Sequence, residues 1–168
     1  MDIASTTTVR QRLADLVRGA GGREVCALLY GVDRGVDRGV DRGVEDGAGL
    51  TLDRVVPVRN LCRGPGRFAF RASALEVAAH VTGNATPLAL FPIALFHSHP
   101  PGHALTPSRA DLVMFRRTPF RAQLIGALAG PSSRSRSRSR SPSRSPVGAA
   151  FCCAAFDPHG QEIALSWH

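Results

Sequence analysis

Lysine is missing from this chain altogether; its 21 basic residues are all arginine. No lysine side chain is therefore available for isopeptide tagging, and the one-sided usage fits a bias toward arginine codons. Long apolar runs are missing too. None approaches the roughly 20 residues that cross a bilayer, and Met1-Asp2-Ile3-Ala4-Ser5 lacks the basic-then-apolar order of a secretory leader. Cytoplasmic residence without membrane association is the expectation. Cysteine is sparse, at four. Cys26 and Cys62 lie in or beside apolar segments and read as small buried hydrophobes, while the neighbours Cys152 and Cys153 fall on opposite faces of a strand. No Cys-x-x-Cys pair exists, which argues against a structural zinc site.

What is present fits one domain. The 168 residues suffice for a single core, and 43% are hydrophobic, an ordinary share for a globular chain. The net charge of +8 invites a nucleic-acid reading. Five of those charges sit in one Arg-Ser tract, at Arg134, Arg136, Arg138, Arg140 and Arg144, and without them the balance is about +3, an unexceptional surface. Nucleic acid is not the expected partner.

The organisation reads as helix, strand and insertion in turn. Val9, Leu13, Leu16 and Val17 recur near a helical period over residues 8–18, and Gly19, Gly21 and Gly22 end the helix. Strands are expected at 25–30, 50–60, 68–70, 123–129, 149–156 and 163–167, with helices at 72–81 and 108–116. Residues 31–47 hold a Gly-Val-Asp-Arg unit repeated in tandem, too short and polar to build a core, and residues 131–147 hold the Arg-Ser tract. Both read as low-complexity insertions in turns of one domain spanning 1–168, since loop closure costs little more for a longer loop. A mixed sheet covered by helices is the expected α/β architecture.

The chemistry is carried by His97-Ser98-His99-Pro100, followed after seven residues by Ser108-Arg109-Ala110-Asp111. The apolar run Ile93-Ala94-Leu95-Phe96 reads as a buried strand that ends in this motif. Alternation along a strand puts His97 and His99 on one face and Ser98 on the other. Two imidazoles and one carboxylate match the three protein ligands of a catalytic zinc, which keeps a fourth position for water. Such a site needs a base, and Glu24, just ahead of the apolar strand at 25–30, is the candidate. Ser108 followed by Asp111 is also a helix-start pattern, and both readings hold if the helix positions Asp111. His80, His159 and His168 have no partners at ligand spacing and receive no role, and His103, in the loop between the ligands, reads as a polar loop residue.

Glu24, the His-Ser-His-Pro run, Ser108 and Asp111 together resemble the signature of the JAMM, or MPN-plus, metalloprotease family, and the likeness extends from about Val9 to Trp167. It includes Val55-Val56-Pro57-Val58-Arg59-Asn60, the Arg67-Phe68 stretch and the helical segment 72–81. The resemblance implies an α-β-α sandwich like that of cytidine deaminases. It implies one zinc ion held by His97, His99 and Asp111, Glu24 as general acid/base, and Ser108 as oxyanion stabiliser. It also implies peptidase or isopeptidase action at the C-terminal tail of a ubiquitin-like or sulfur-carrier protein. Two rivals remain: a noncatalytic interaction module of the same fold, and a polyanion binder acting through the Arg-Ser tract. Oligomeric state is not legible.

Overall fold

The computed structural model describes residues 1–34, 49–62, 69, 92–129 and 149–168. Of the expected strand at 68–70 only Ala69 is described, and it carries no strand assignment; the helix at 72–81, most of the first insertion and all of the second lie outside the described residues. Among the described residues eight strands form one sheet: β1 (Asp2–Ser5), β2 (Cys26–Asp33), β3 (Gly49–Val58), β4 (Ala94–Ser98), β5 (Ala122–Leu128), β6 (Phe151–Phe156), β7 (Glu162–Ile163) and β8 (Leu165–Trp167). Two helices are described, α1 (Thr7–Gly19) and α2 (Arg109–Phe115).

The sheet is mixed, with order β7-β6-β5-β4-β2-β3-β1-β8. β4 runs parallel to β5, and β1 runs parallel to both β3 and β8; the remaining pairs are antiparallel. The outermost members, β7 and β8, are separated in sequence by Ala164 alone. The sheet therefore curls until its two margins meet at Ala164, whose carbonyl accepts from the Ile3 amide of β1 at 2.8 Å.

Strand alternation divides the core between two faces. On one, α1 buries Val9, Leu13, Ala14 and Val17 against Ala27, Leu29, Leu52, Phe96 and Leu124. Removing each such leucine or valine from water contributes roughly 1.5–3 kcal/mol. On the other, Leu28, Tyr30 and Leu95 meet Phe115 of α2 and Phe120. One helix on each face gives the three layers expected. α1 starts at Thr6, whose hydroxyl accepts from the Val9 amide at 3.2 Å, so a side chain replaces a missing helical acceptor there.

Three differences from the sequence reading have local causes. β1 was not expected, because Asp-Ile-Ala-Ser carries one strongly apolar residue and its partners, β3 and β8, are far away in sequence. β2 continues into the repeat, through Asp33, with a register shift between Tyr30 and Gly31. Gly31 makes this possible, since a Cβ there would collide with the Thr51 carbonyl. The last strand is divided at Ala164, where the chain changes partner from β6 to β1. No helix among the described residues is long and apolar enough to cross a membrane.

Candidate active site

β4 is buried along its whole length and delivers the two histidines at its C-terminal end. Leu95 and His97 share a face with Leu28 and Cys26, their partners on β2, so the imidazoles lie on the α2 side of the sheet. His97 is 0% exposed. Its Nε2 lies 3.3 Å from Nε2 of His99, with the rings tilted by 53°. Nδ1 of His99 is 2.6 Å from the Ala104 carbonyl. A carbonyl can only accept, so that nitrogen carries the proton and Nε2 turns its lone pair to the cluster.

Asp111 arrives from the first turn of α2. Ser108 caps the helix: its hydroxyl accepts from the Asp111 amide at 3.2 Å, and the Ser108 amide donates to Asp111 Oδ2 at 2.7 Å. This reciprocal box fixes the carboxylate, leaving Oδ1 at 3.6 Å from His97 Nε2 and Oδ2 at 3.7 Å from His99 Nε2. Burial would raise the Asp111 carboxyl, but the facing imidazoles and Ser108 overcome it and hold the group well below the usual carboxylate range. Asp111 in turn raises His99, while burial lowers His97.

A metal ion fits this donor set. Ligands at about 2.0–2.1 Å around one tetrahedral ion stand roughly 3.3 Å apart, and the three side chains offer ligand atoms within 4.8 Å of one another. Two imidazoles and a carboxylate converge on one another, a donor set that suits a divalent cation. Among the described residues this is the sole grouping of three or more such ligands.

Glu24 is 6% exposed. Cys26 pairs with His97, so continuing the antiparallel register by two residues sets Glu24 opposite His99 on the same face. The continuation is held by the Ser98 amide donating to the Val25 carbonyl at 2.9 Å and by the Val25 amide donating to the Ser98 hydroxyl at 3.0 Å. Oε2 of Glu24 is buried without a hydrogen-bond partner among the described residues. Burial raises its carboxyl; His99 opposes that shift and Asp111 adds to it.

The sequence matches the family described as prokaryotic homologs of the JAB domain over residues 6–141. The chain belongs to that family. Among solved structures, this JAB-domain chain is similar to a protein from Desulfitobacterium hafniense known from its solution structure. That pair has a TM-score of 0.64 and 23% identity over 99% of this chain and 92% of the other. It is similar also to a protein from Salinibacter ruber, with a TM-score of 0.53 and 16% identity over 99% and 92%. A JAB1/MPN domain protein from Archaeoglobus fulgidus aligns with a TM-score of 0.49 and 16% identity over 99% and 98%. Comparison with curated proteins gives no match.

Within this JAB-domain fold the three expected ligands come together, with Glu24 beside them and Ser108 at the start of α2. His103 closes a turn by donating its amide to the Pro100 carbonyl, and His159 lies in the turn after β6; neither joins the cluster. His80 lies outside the described residues. Cys26 is a buried free thiol, raised by its burial and by the nearby Glu24 and Cys62, which makes it inert and agrees with its reading as a small hydrophobe. Two residues gain roles that spacing did not show. Ser98 points away from the imidazoles and ties β4 to the backbone beside Glu24. Asn60 donates its amide to the Glu24 carbonyl at 3.0 Å and accepts from the Cys62 and Ala69 amides at 3.0 and 3.1 Å. An asparagine two residues past the valine-rich β3 was the available signal, since its side chain bonds nearby backbone readily.

Proposed function

We propose that this chain is a zinc-dependent hydrolase of peptide or isopeptide bonds, acting at the C-terminal tail of a ubiquitin-fold or sulfur-carrier protein. The observation that carries the reading is the pairing of a three-ligand cluster with a buried, unpartnered glutamate oxygen on the same sheet face. A purely structural metal site is closed by a fourth protein ligand, and none stands in the cluster among the described residues.

His97, His99 and Asp111 would hold one zinc ion per chain. When bound, zinc supplies Lewis acidity, polarising a carbonyl oxygen and bringing the pKa of a water molecule near neutrality. The protein's own side chains do the rest. Glu24 takes the proton of the attacking water and returns it to the departing amine, and burial, which raises its carboxyl, helps it hold that proton between the two transfers. The Ser108 hydroxyl uses a lone pair to cap α2, so its hydrogen stays available to the oxyanion of the tetrahedral intermediate. The Ala104 carbonyl and the α2 capping box keep His99 and Asp111 oriented through the cycle.

The test is an assay of the zinc-loaded chain against fusions in which a short peptide follows the tail of ubiquitin-fold and sulfur-carrier proteins. The expected products, read by intact mass, are the free tail and the released peptide. Glu24→Gln should keep stoichiometric zinc and lose this cleavage. Full zinc occupancy with every fusion intact would overturn the hydrolytic reading and leave an interaction module.

A further inference from the structure

Beside Glu24 opens a cavity of about 770 Å³, walled by the loop after α1, the start of β2 and the residues that follow β3. Arg23, Val58, Arg59, Asn60 and Cys62 line it together with Glu24. Both arginines are exposed, and neither guanidinium makes an ion pair or hydrogen bond among the described residues; Arg18 and Arg121, in contrast, pair with Asp15 and Asp33. Arg23 is held at the wall by backbone geometry. Gly21 and Gly22 adopt φ of 61° and 86°, values that suit residues without a Cβ, and the Arg23 amide donates to the Ala20 carbonyl at 3.2 Å. A second cavity of about 700 Å³ shares Ala20, Arg23 and Val25 and extends the groove along α1 past Arg12. The charged lining next to the site is thus two exposed arginines against one carboxylate, and that carboxylate already has the proton-transfer role.

We propose that this groove is a carboxylate-recognition subsite, in which Arg23 and Arg59 receive an anionic group of the substrate segment lying beside Glu24. The group is either a terminal carboxylate or an Asp or Glu side chain. A planar guanidinium matches a carboxylate with two parallel hydrogen bonds, and a concave wall strengthens the field of its charges by excluding water. The subsite rests on the hydrolytic reading above and adds a selection rule to it: segments acidic at this point are favoured, and basic ones are repelled.

The experiment measures binding and cleavage separately, on the zinc-loaded full-length chain. Four fluorescein-labelled peptides share a Gly-Gly core: one ends in a free carboxylate, the second in the corresponding amide, and two amidated versions carry Asp or Asn after the core. Fluorescence anisotropy reads affinity, and mass spectrometry of the same samples reads cleavage. The expected result is that an acidic peptide binds at least about tenfold more tightly than its neutral counterpart. That preference should shrink to within about twofold in the Arg23→Gln/Arg59→Gln double variant and survive in Arg117→Gln, which does not line the groove. A preference confined to the free-acid pair assigns the terminal carboxylate; one confined to the Asp pair assigns a side chain. Equal affinities within both pairs, a preference that survives the double substitution, or no binding at millimolar peptide would overturn the proposal. Tighter arginine-dependent binding of oligouridylate would overturn it as well, by marking a general polyanion surface. Preference without cleavage would leave the subsite standing and count against hydrolysis, whereas cleavage without preference would do the reverse.

Discussion

The side-chain amide of Asn60 donates to the backbone carbonyl of Glu24 at 3.0 Å, while its Oδ1 gathers the amides of Cys62 and Ala69. One side chain thus ties the backbone of the proposed proton carrier to the loop that walls the neighbouring cavity. Asn60→Asp separates these functions, because a carboxylate still accepts from Cys62 and Ala69 but cannot donate to Glu24. Misplacing a reacting group by about 1 Å costs roughly 100-fold in rate. Turnover in Asn60→Asp should fall by a factor of about 10–100 at unchanged zinc content. Steady-state kinetics with metal analysis checks it, and wild-type turnover would remove Asn60 as a positioning residue.

Glu24 also makes a prediction about stability. Its carboxyl is raised in the fold, chiefly by burial. A raised acid favours the folded state fully below its unfolded pKa, and that contribution is lost as pH rises through the folded value. The metal-free wild type should therefore lose stability relative to Glu24→Gln as pH is taken upward from about 4, the ordinary glutamate range. Melting temperatures of both proteins across pH give the test; parallel curves would contradict a desolvated carboxyl.

Zinc affinity should fall with acidity, and His99 sets where. Asp111 raises the imidazole above its ordinary value of 6.5, so protons compete for Nε2 before an isolated histidine would bind them. Asp111 itself, held low, stays ionised throughout that range. Zinc titrations from about pH 8 down to 6 should show a steadily weakening midpoint. A flat midpoint would mean that His99 is not a ligand.

Asp111→Asn keeps an oxygen for the Ser108 amide, so the α2 cap can survive while the charge is lost. Zinc should bind at least about tenfold more weakly with little change in helix content, by analogy with the 10–100-fold effects of altered metal surroundings. Competition with a chromophoric chelator, read beside far-ultraviolet circular dichroism, separates the two. Unchanged affinity would take Asp111 off the ligand set.

Gly126 tests the other face of the sheet. A Cβ there would lie 2.7 Å from ring atoms of both Phe96 and Phe151, whose rings pack at 6.4 Å between centroids. Gly126→Ala should cost about 1–3 kcal/mol through overpacking, measurable by denaturant unfolding. It should act on the whole fold, since His99 donates its amide to the Gly126 carbonyl at the end of β4.

The His97, His99 and Asp111 cluster was legible because its members lie at short spacings. His97 and His99 needed only strand alternation to share a face, and Ser108 with Asp111 needed only the habits of a helix start. The long strands and α1 were legible from periodicity. β1 was not, since a four-residue strand with one isoleucine takes its identity from partners far along the chain. Asn60 and Ser98 were not assigned roles for a related reason: each acts on backbone atoms distant in sequence, and no side-chain pattern records that. The cavity beside Glu24 is likewise assembled from three separate segments.

The closure at Ala164 has a consequence for local opening. Ile3 donates to Ala164, Thr7 donates to the His168 carbonyl, and His168 donates to the Ser5 carbonyl, so residues 3–7 and 164–168 share one set of backbone bonds. Fraying of either segment strips the other of its partners, so the two behave as a single cooperative unit in amide exchange.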